Sequence, residues 1–233
     1  MSNVDPNEIA RFEELAERWW DADGELKSLH DINPLRLDFI EREAGLSGRN
    51  ILDVGCGGGL LSEGMAARGA RVTGIDMAAN ALAVARLHLK ESGHDVSYVQ
   101  SPAEEFARQH PAAFDLVTCL EMLEHVPDPV SVIRACATLV KPGGDVFFST
   151  LNRTPRSWLY AIVGAEYMLG LLPRGTHDYL RFIRPSELAT AARAAGLEII
   201  SATGIHYGPL TRRYRLGPGL DVNYLCHARR VEP

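Results

Sequence analysis

The sequence predicts an α/β protein built on a seven-stranded, mostly parallel sheet with an antiparallel last strand. From Asn50 onward, short β-rich runs alternate with helix-length stretches, which is typical of strand–helix–strand units with right-handed crossovers. The last third of the chain differs, because two strand candidates follow one another with only a turn-rich segment between them. Two segments lie outside this alternation and predict an N-terminal helical cap and a helical lid inserted after the fifth strand.

Each element is assigned from its local pattern. The predicted strands are residues 50–54, 71–75, 95–99, 115–120, 145–150, 197–203 and 221–229. The predicted helices between strands are residues 60–68, 78–92 and 129–140. Apolar side chains recur among charged ones in residues 7–45, which predicts amphipathic helices there. We divide this single domain into a helical cap (1–48), a binding core (49–150), a lid insert (151–184) and the C-terminal part of the sheet (185–233).

Composition narrows the class of protein. With 233 residues, 46% of them hydrophobic, the chain buries a sizeable core, which excludes a disulfide mini-protein and a disordered chain. The 24 basic and 30 acidic residues form no basic block, so nucleic acid is not an expected partner. Four scattered cysteines predict free thiols in a reducing compartment. The N-terminus lacks a signal-peptide pattern and no apolar run reaches about 18 residues, which together predict a cytoplasmic location.

A glycine-rich loop follows the first predicted strand. Gly55, Gly57 and Gly59 form the spacing GxGxG, and glycines at a helix N-terminus let backbone N–H groups approach a ligand closely. The dinucleotide fingerprint is GxGxxG, and Asp53, two residues before the first glycine, is atypical for it. Asp76 ends the second strand, where a carboxylate can accept both hydroxyls of a ribose. The pattern favours a site for a ribose-bearing cofactor other than a dinucleotide. A structural turn and a dinucleotide site are the alternatives.

With the turn at residues 141–144 (KPGG), this pattern resembles the class I S-adenosylmethionine-dependent methyltransferases, which have a Rossmann-like fold. The resemblance covers roughly residues 50–229. It implies S-adenosylmethionine as the cofactor, with the glycine loop around its methionine part and Asp76 on its ribose. The cofactor-binding residues that it implies are Arg36, Asp53, Gly55, Gly57, Gly59, Asp76, Met77, Ala103, Glu104 and Leu120.

Five further stretches closely resemble the bacterial ubiquinone-biosynthesis O-methyltransferases. They are residues 33–36 (NPLR), 121–127 (EMLEHVP), 149–153 (STLNR), 175–178 (GTHD) and 217–224 (GPGLDVNY). The resemblance implies methylation of catechol hydroxyls on polyprenylated intermediates at both O-methylation steps, on a catechol derived from 2-polyprenyl-6-hydroxyphenol and on 3-demethylubiquinol. It also implies a complex with other ubiquinone-biosynthesis enzymes. The alternatives are another small-molecule methyltransferase directed to N or C, and a non-catalytic cofactor-binding module.

The segment after the fourth strand carries the candidate chemistry. If residues 121–125 form one helical turn, Glu121, Glu124 and His125 share a face. Two carboxylates and an imidazole can bind Mg²⁺ or Zn²⁺, and the family is associated with a divalent cation at this triplet. Alternatively, His125 acts as a base without metal, or the triplet is structural. His177, in the lid insert, is a second candidate base, although such a histidine more often holds a loop in place.

Two apolar features accompany these motifs. Residues 157–173 form a strongly apolar stretch with Glu166 as its one charge, too short for a membrane span. The stretch is consistent with a lid helix packed on the sheet, or with a peripheral contact at the inner face of the membrane that admits a polyprenyl tail. The pair Trp19 and Trp20 either covers the cofactor or packs its own helix, and we favour core packing.

Overall fold

The computed structural model describes residues 3–157 and 179–232 of the chain. Strands and helices alternate from Asn50 as predicted, with boundaries that mostly differ by one or two residues. The strands are β1 (Asn50–Val54), β2 (Arg71–Asp76), β3 (Val96–Gln100), β4 (Phe114–Leu120), β5 (Val140–Leu151), β6 (Leu197–Gly208), β7 (Arg213–Gly217) and β8 (Asn223–Arg230). The helices are α1 (Pro6–Leu15), α2 (Lys27–Ala44), α3 (Leu60–Ala67), α4 (Ala79–Ser92), α5 (Ala103–Gln109), α6 (Pro129–Leu139), α7 (Pro155–Ser157) and α8 (Pro185–Ala194). Short 3₁₀ turns lie at Ala16–Arg18, Leu123–His125 and Tyr179–Arg181.

The strands form one mostly parallel sheet in the order β3-β2-β1-β4-β5-β8-β6-β7. Strands β1 to β5 are parallel, and β8 pairs antiparallel with both β5 and β6, which confirms the antiparallel last strand. The described residues contain eight strands instead of the predicted seven. The additional strand is β7, which pairs antiparallel with β6 inside the predicted turn-rich segment. It forms because Tyr214 and Leu216 alternate with arginines and pack their apolar faces against the core.

Both faces of the sheet are covered. Ile51 and Leu52 are neighbours in β1, and both are fully buried, one in each of the two large apolar clusters. Helices α5, α6 and α8 contribute to the cluster around Leu52, and α2, α3 and α4 to the cluster around Ile51. This two-sided burial is the environment that parallel strands require, and it leaves the edge formed by their carboxyl ends free for ligands.

The predicted N-terminal helical cap is confirmed and is bound to the sheet domain by specific contacts. Leu15, Trp19 and Leu26 form an apolar cluster with two alanines of α4. The carboxylate of Glu13 accepts hydrogen bonds from the backbone N–H groups of Ala79 and Asn80, at 2.6 and 3.0 Å. Glu13 therefore caps the N-terminus of α4 from a distant part of the chain.

The lid insert falls largely outside the described residues. The apolar stretch from residue 158 to residue 173 and His177 all lie there, so their roles stay predictions. At the end of the insert, Phe182 packs against Leu151 of β5. Within residues 3–157 and 179–232, no helix is long and apolar enough to cross a bilayer. The division of the chain at residues 48, 150 and 184 also stays a prediction.

Candidate active site

The loop between β1 and α3 has a backbone that requires glycine. Gly57 has a φ of +51°, and a Cβ atom there would lie 2.1 Å from the Trp19 ring. Gly59 has a φ of +88°, and its Cβ would lie 2.2 Å from the hydroxyl of Tyr98. A side chain at either position is therefore excluded both by backbone strain and by its neighbours.

Two buried aspartates hold this loop in place. Asp53 in β1 accepts hydrogen bonds from Ser62 Oγ at 2.6 Å and Thr118 Oγ1 at 2.7 Å. Asp76, at the end of β2, accepts hydrogen bonds from the backbone N–H groups of Gly57 and Ala78, both at 2.8 Å. Burial raises the pKa of both carboxyl groups, although these hydrogen bonds oppose the shift. Asp76 thus ties the tip of the glycine loop to the neighbouring strand.

A cavity opens at the carboxyl ends of β1, β2 and β4. Together with the solvent at its open mouth, its space is about 1190 Å³. Nine of the ten residues predicted to bind the cofactor line it: Arg36, Asp53, Gly55, Gly57, Asp76, Met77, Ala103, Glu104 and Leu120. Gly59 does not line the cavity, because it turns inward and its N–H donates to the carbonyl of Cys56.

Arg36 reaches this cavity from α2 and is almost fully buried. Its Nη2 lies 3.2 Å from Oε1 of Glu121 as an ion pair. Burial lowers the pKa of Arg36, and the charge of Glu121 opposes that shift. Within the described part of the chain, neither Nε nor Nη2 of Arg36 makes a hydrogen bond. A buried guanidinium at a cavity wall, with Nε lacking a hydrogen-bond partner, is suited to a carboxylate ligand.

The predicted triplet does not form one cluster. Glu121 has a φ of +53° and precedes the 3₁₀ turn, so residues 121–125 do not form the helical turn that would place the three side chains on one face. Glu121 accepts hydrogen bonds from Ser149 Oγ at 2.6 Å and from Asn223 Nδ2 at 3.2 Å. Glu124, in contrast, is buried against Thr150 Oγ1 at 2.8 Å.

The arrangement of these side chains bears on the expected metal site. Among residues 3–157 and 179–232, no group of three or more His, Cys, Asp and Glu side chains is placed to hold a metal ion. Burial is the main reason that the pKa of Glu124 rises to about 7, and the charge of Glu121 adds to it. A cation shared by Glu121, Glu124 and His125 therefore stays a prediction.

His125 has a different partner, which the sequence did not indicate. Its Nδ1 lies 2.9 Å from Oε2 of Glu8 in α1, and its ring meets the ring of Phe12 edge to face at 5.1 Å. Burial lowers the pKa of His125, but the hydrogen bond to Glu8 and the charge of Glu124 outweigh burial and raise it overall. Glu8 and His125 both line the cavity. The result is a carboxylate–imidazole pair at the cavity wall.

The tryptophan pair covers the glycine loop. The ring of Trp19 lies against Gly57 and Gly58, and Trp20 Nε1 donates to the carbonyl of Gly58 at 3.0 Å. Trp20 also stacks on His88, with ring centroids 3.4 Å apart and 2° between the planes. The expectation of core packing was incomplete, because Trp19 belongs to a core cluster and lines the cavity as well.

The N-terminal segment also crosses the mouth of the cavity. Asn3 Nδ2 donates to Glu104 Oε1 at 2.7 Å and to the carbonyl of Asp128 at 2.8 Å. Arg181, near the end of the lid insert, pairs with Asp5 at 2.8 Å. Nothing in the local sequence around Asn3, Asp5 or Glu8 distinguishes these residues from solvent-exposed helix positions, so only the tertiary structure reveals them.

Comparison with known proteins places this site in a family. A methyltransferase domain family matches residues 28–202. The chain is 63% identical to the ubiquinone biosynthesis O-methyltransferase of Aromatoleum aromaticum over 98% of each chain, and 62% identical to that of Pseudomonas aeruginosa over 99% of each.

The chain belongs to the ubiquinone biosynthesis O-methyltransferase family.

Solved structures agree with this family at the level of the fold. A magnesium protoporphyrin IX methyltransferase from Synechocystis PCC 6803 with bound SAM has a TM-score of 0.66 at 16% identity, covering 98% of this chain and 100% of that one. A SAM-dependent methyltransferase from Thermotoga maritima has a TM-score of 0.68 at 18% identity, covering 96% and 98%. The class I methyltransferase fold expected from the sequence is thus confirmed for this member of the family.

Proposed function

We propose that the protein transfers the methyl group of S-adenosylmethionine to a catechol hydroxyl of polyprenylated intermediates, at both O-methylation steps of ubiquinone biosynthesis. The observation that carries this proposal is the shared cavity, which is lined by the glycine loop and by the pair Glu8 and His125. The names of the relatives support the substrate class. The substrates are a catechol derived from 2-polyprenyl-6-hydroxyphenol and 3-demethylubiquinol.

The residues around the cavity fit the cofactor. Bound S-adenosylmethionine supplies an electrophilic methyl group on its sulfonium. The buried guanidinium of Arg36, with Nε lacking a hydrogen bond, suits the carboxylate of its methionine part. Asp76 accepts two backbone hydrogen bonds, and a carboxylate has about four lone-pair sites, so capacity remains for two ribose hydroxyls. Met77, Ala103 and Leu120 offer an apolar wall for the adenine.

The pair Glu8 and His125 can remove the phenol proton. A phenol has a pKa of about 10, so its ionisation at neutral pH costs about 4 kcal/mol, or roughly a thousandfold in rate. With Nδ1 hydrogen-bonded to Glu8, the Nε2 atom of His125 is left as the acceptor for a substrate proton. Glu8 stabilises the imidazolium that forms when the proton is taken. His177 is the second candidate for this role.

The cavity also positions the two reactants. Placement in line is the main requirement for displacement at a methyl group, since well-oriented reactants react far faster than free ones. Trp19 and the N-terminal segment close one side of the cavity and exclude water there. Glu121 holds Arg36 from the opposite side through its ion pair. Its role here is to position the cofactor-binding guanidinium.

The substrate tail connects the site with a membrane. Polyprenyl chains reside in the bilayer, and residues 157–173 are rich in apolar side chains. We place the protein in the cytoplasm, peripheral at the inner face of the membrane through this stretch, and in a complex with other ubiquinone-biosynthesis enzymes. Deletion of residues 157–173 would then lower co-sedimentation with anionic vesicles, and unchanged co-sedimentation would contradict the membrane contact.

The decisive experiment is transfer of labelled methyl from S-adenosylmethionine to short-chain prenyl catechol and demethylubiquinol, each with Mg²⁺, with Zn²⁺ and with EDTA. Turnover of both substrates would support the two-step function, and turnover indifferent to EDTA would assign proton removal to His125 or His177. Turnover that EDTA abolishes and a metal restores would require Glu121 and Glu124 to rearrange. Cofactor binding without turnover of either catechol would overturn the proposal.

A further inference from the structure

The turn between β6 and β7 carries an unusual surface, here called the hairpin tip (residues 209–215). Leu210 lies at its apex and is 99% exposed. Arg212, Arg213 and Arg215 are exposed, and none has a side-chain hydrogen bond or an ion pair with any residue that the structure describes. The sequence contains no acidic residue between Glu198 and Asp221, although the whole chain has a net charge of −6. The hairpin tip is therefore a local cationic surface on an acidic protein.

This surface is anchored to the sheet by specific contacts at its base. Tyr207 and Tyr214 are ladder partners, with ring centroids 4.9 Å apart at the base of the tip. Tyr214 also packs against the core, which anchors the hairpin. The turn itself is closed by the N–H of Arg212, which donates to the carbonyl of Gly208 at 2.7 Å. Leu210 is thus presented to the surroundings by a well-anchored turn.

The hairpin tip lies at the edge of the sheet where the cavity opens. Both β5 and β6 run antiparallel to β8, so β5 and β6 end at the same edge. Asn223 of β8 is aligned with Leu151, the last residue of β5, and with Ile205 of β6. Strand β6 continues to Gly208, so the hairpin tip projects beyond the end of β5.

We propose that the hairpin tip docks the protein on bilayers that contain anionic lipids. The unpaired guanidinium groups complement lipid phosphates, and Leu210 enters the boundary between headgroups and acyl chains. A leucine at the apex favours a lipid surface over nucleic acid, whose phosphates offer it no apolar environment. This docking surface is separate from residues 157–173. Docking would bring the cavity to a membrane-resident substrate, and only this purpose rests on the proposed function.

The test compares two charge-reversed variants of the full chain. The first is R212E/R213E/R215E in the hairpin tip. The control is R71E/K90E/R193E, which reverses three exposed cations at the opposite edge of the sheet that have no side-chain partners within the described residues. Each reversal adds two negative charges, so both variants change the net charge from −6 to −12. Co-sedimentation is measured with phosphatidylglycerol–phosphatidylcholine vesicles and with phosphatidylcholine vesicles alone.

We expect the hairpin variant to lose at least about tenfold in partition onto the anionic vesicles, and the control to stay within about twofold of the original chain. The separate substitution L210S should lower partition about fivefold without any change in charge. Inorganic phosphate, compared with chloride at equal ionic strength, should not compete. Three outcomes would overturn the proposal: an unaffected hairpin variant, an equal loss in both variants, or competition by phosphate.

Two further measurements separate this proposal from others. The first is binding of a single-stranded oligonucleotide. If the oligonucleotide binds the original chain through the hairpin arginines and vesicles do not bind, the lipid assignment is overturned in favour of nucleic acid. Turnover of a soluble short-chain catechol should be the same in the hairpin variant and in the original chain. Vesicle binding is measured without any substrate, so failure of methyl transfer and failure of docking are observed independently.

Discussion

The imidazole of His125 is hydrogen-bonded to the carboxylate of Glu8 at 2.9 Å, across 117 residues of chain. The contact joins the first helix of the N-terminal cap to the loop after β4. It makes the cap part of the candidate active site, because both residues line the cavity.

Removal of the imidazole should abolish most of the chemistry and leave the cofactor bound. For His125→Ala we expect turnover of a short-chain catechol to fall by about 10² to 10⁴, the usual contribution of a general base. Cofactor affinity, measured by calorimetry, should change little. Glu8→Gln should lower maximal turnover by about tenfold and move the acidic limb of the pH profile to lower pH, since the carboxylate raises the pKa of His125. An unchanged limb in Glu8→Gln would contradict the pairing.

The same pair predicts how stability depends on pH. The folded pKa of His125 is raised, so its contribution is complete below its unfolded pKa of about 6.5 and is lost as pH rises through the folded value. The folded pKa of Glu8 is lowered, chiefly by the hydrogen bond to His125, so its contribution is lost as pH falls through that value. Urea unfolding should show the largest difference between the original chain and Glu8→Gln near pH ~5 to ~6.5. A constant difference at all pH values would refute the ion pair.

The pKa of Glu124 is shifted in the opposite direction to that of Glu8, because burial favours the protonated form of Glu124. Its folded pKa of about 7 lies above the usual 4.5, so stability is lost as pH rises through 7. Glu124→Gln should therefore gain up to about 3 kcal/mol relative to the original chain between about pH 5 and about pH 8.5. The measurement is the free energy of unfolding in urea, with EDTA present, at these two pH values. An equal stability difference at the two pH values would show that Glu124 is ionised in the fold.

The ion pair between Arg36 and Glu121 should matter for stability. Glu121→Gln leaves a buried guanidinium without its counter-charge, and we expect a loss of about 3 kcal/mol in the free energy of unfolding. The double change Arg36→Met with Glu121→Leu should recover most of this loss. The matched control is Asp38→Asn, which breaks an exposed pair with Arg68 and should cost less than about 1 kcal/mol. A loss for Glu121→Gln that appears only without EDTA would instead indicate a bound metal.

Gly57→Ala tests the glycine loop, with Gly93→Ala as its control. Both glycines have a positive φ, of +51° and +66°, so both substitutions carry a backbone penalty of about 1 kcal/mol. At Gly93 a Cβ meets no atom within 4 Å, whereas at Gly57 it would overlap Trp19. We expect cofactor affinity to fall at least about tenfold in Gly57→Ala and to stay unchanged in Gly93→Ala. Equal affinities would show that Trp19 moves freely from the loop.

The sequence is informative where a structural requirement is local. The alternation of strands and helices and the GxGxG spacing predict the sheet and place the cavity correctly at the end of β1. The sequence is less informative where Gly and Pro suggest only a turn. Strand β7 forms there because its apolar side chains pack against core residues that are distant in the sequence. The helical turn expected at residues 121–125 was wrong because Glu121 has a positive φ, which a residue pattern does not reveal. The partner of His125 depends on how the cap lies on the sheet, and local spacing carries no information about that.

The two hydrogen bonds that Asn3 makes have a practical consequence for handling the protein. Its side chain is bonded to Glu104 and Asp128 at the cavity mouth. Strand β8 ends at the opposite edge of the sheet, where Arg229 pairs with Asp145 of β5. An affinity tag or a surface linker fused before Asn3 would therefore crowd the entrance for ligands, whereas the same peptide fused after Val231 would lie on the far side. Immobilised assays and label placement should use the carboxyl terminus.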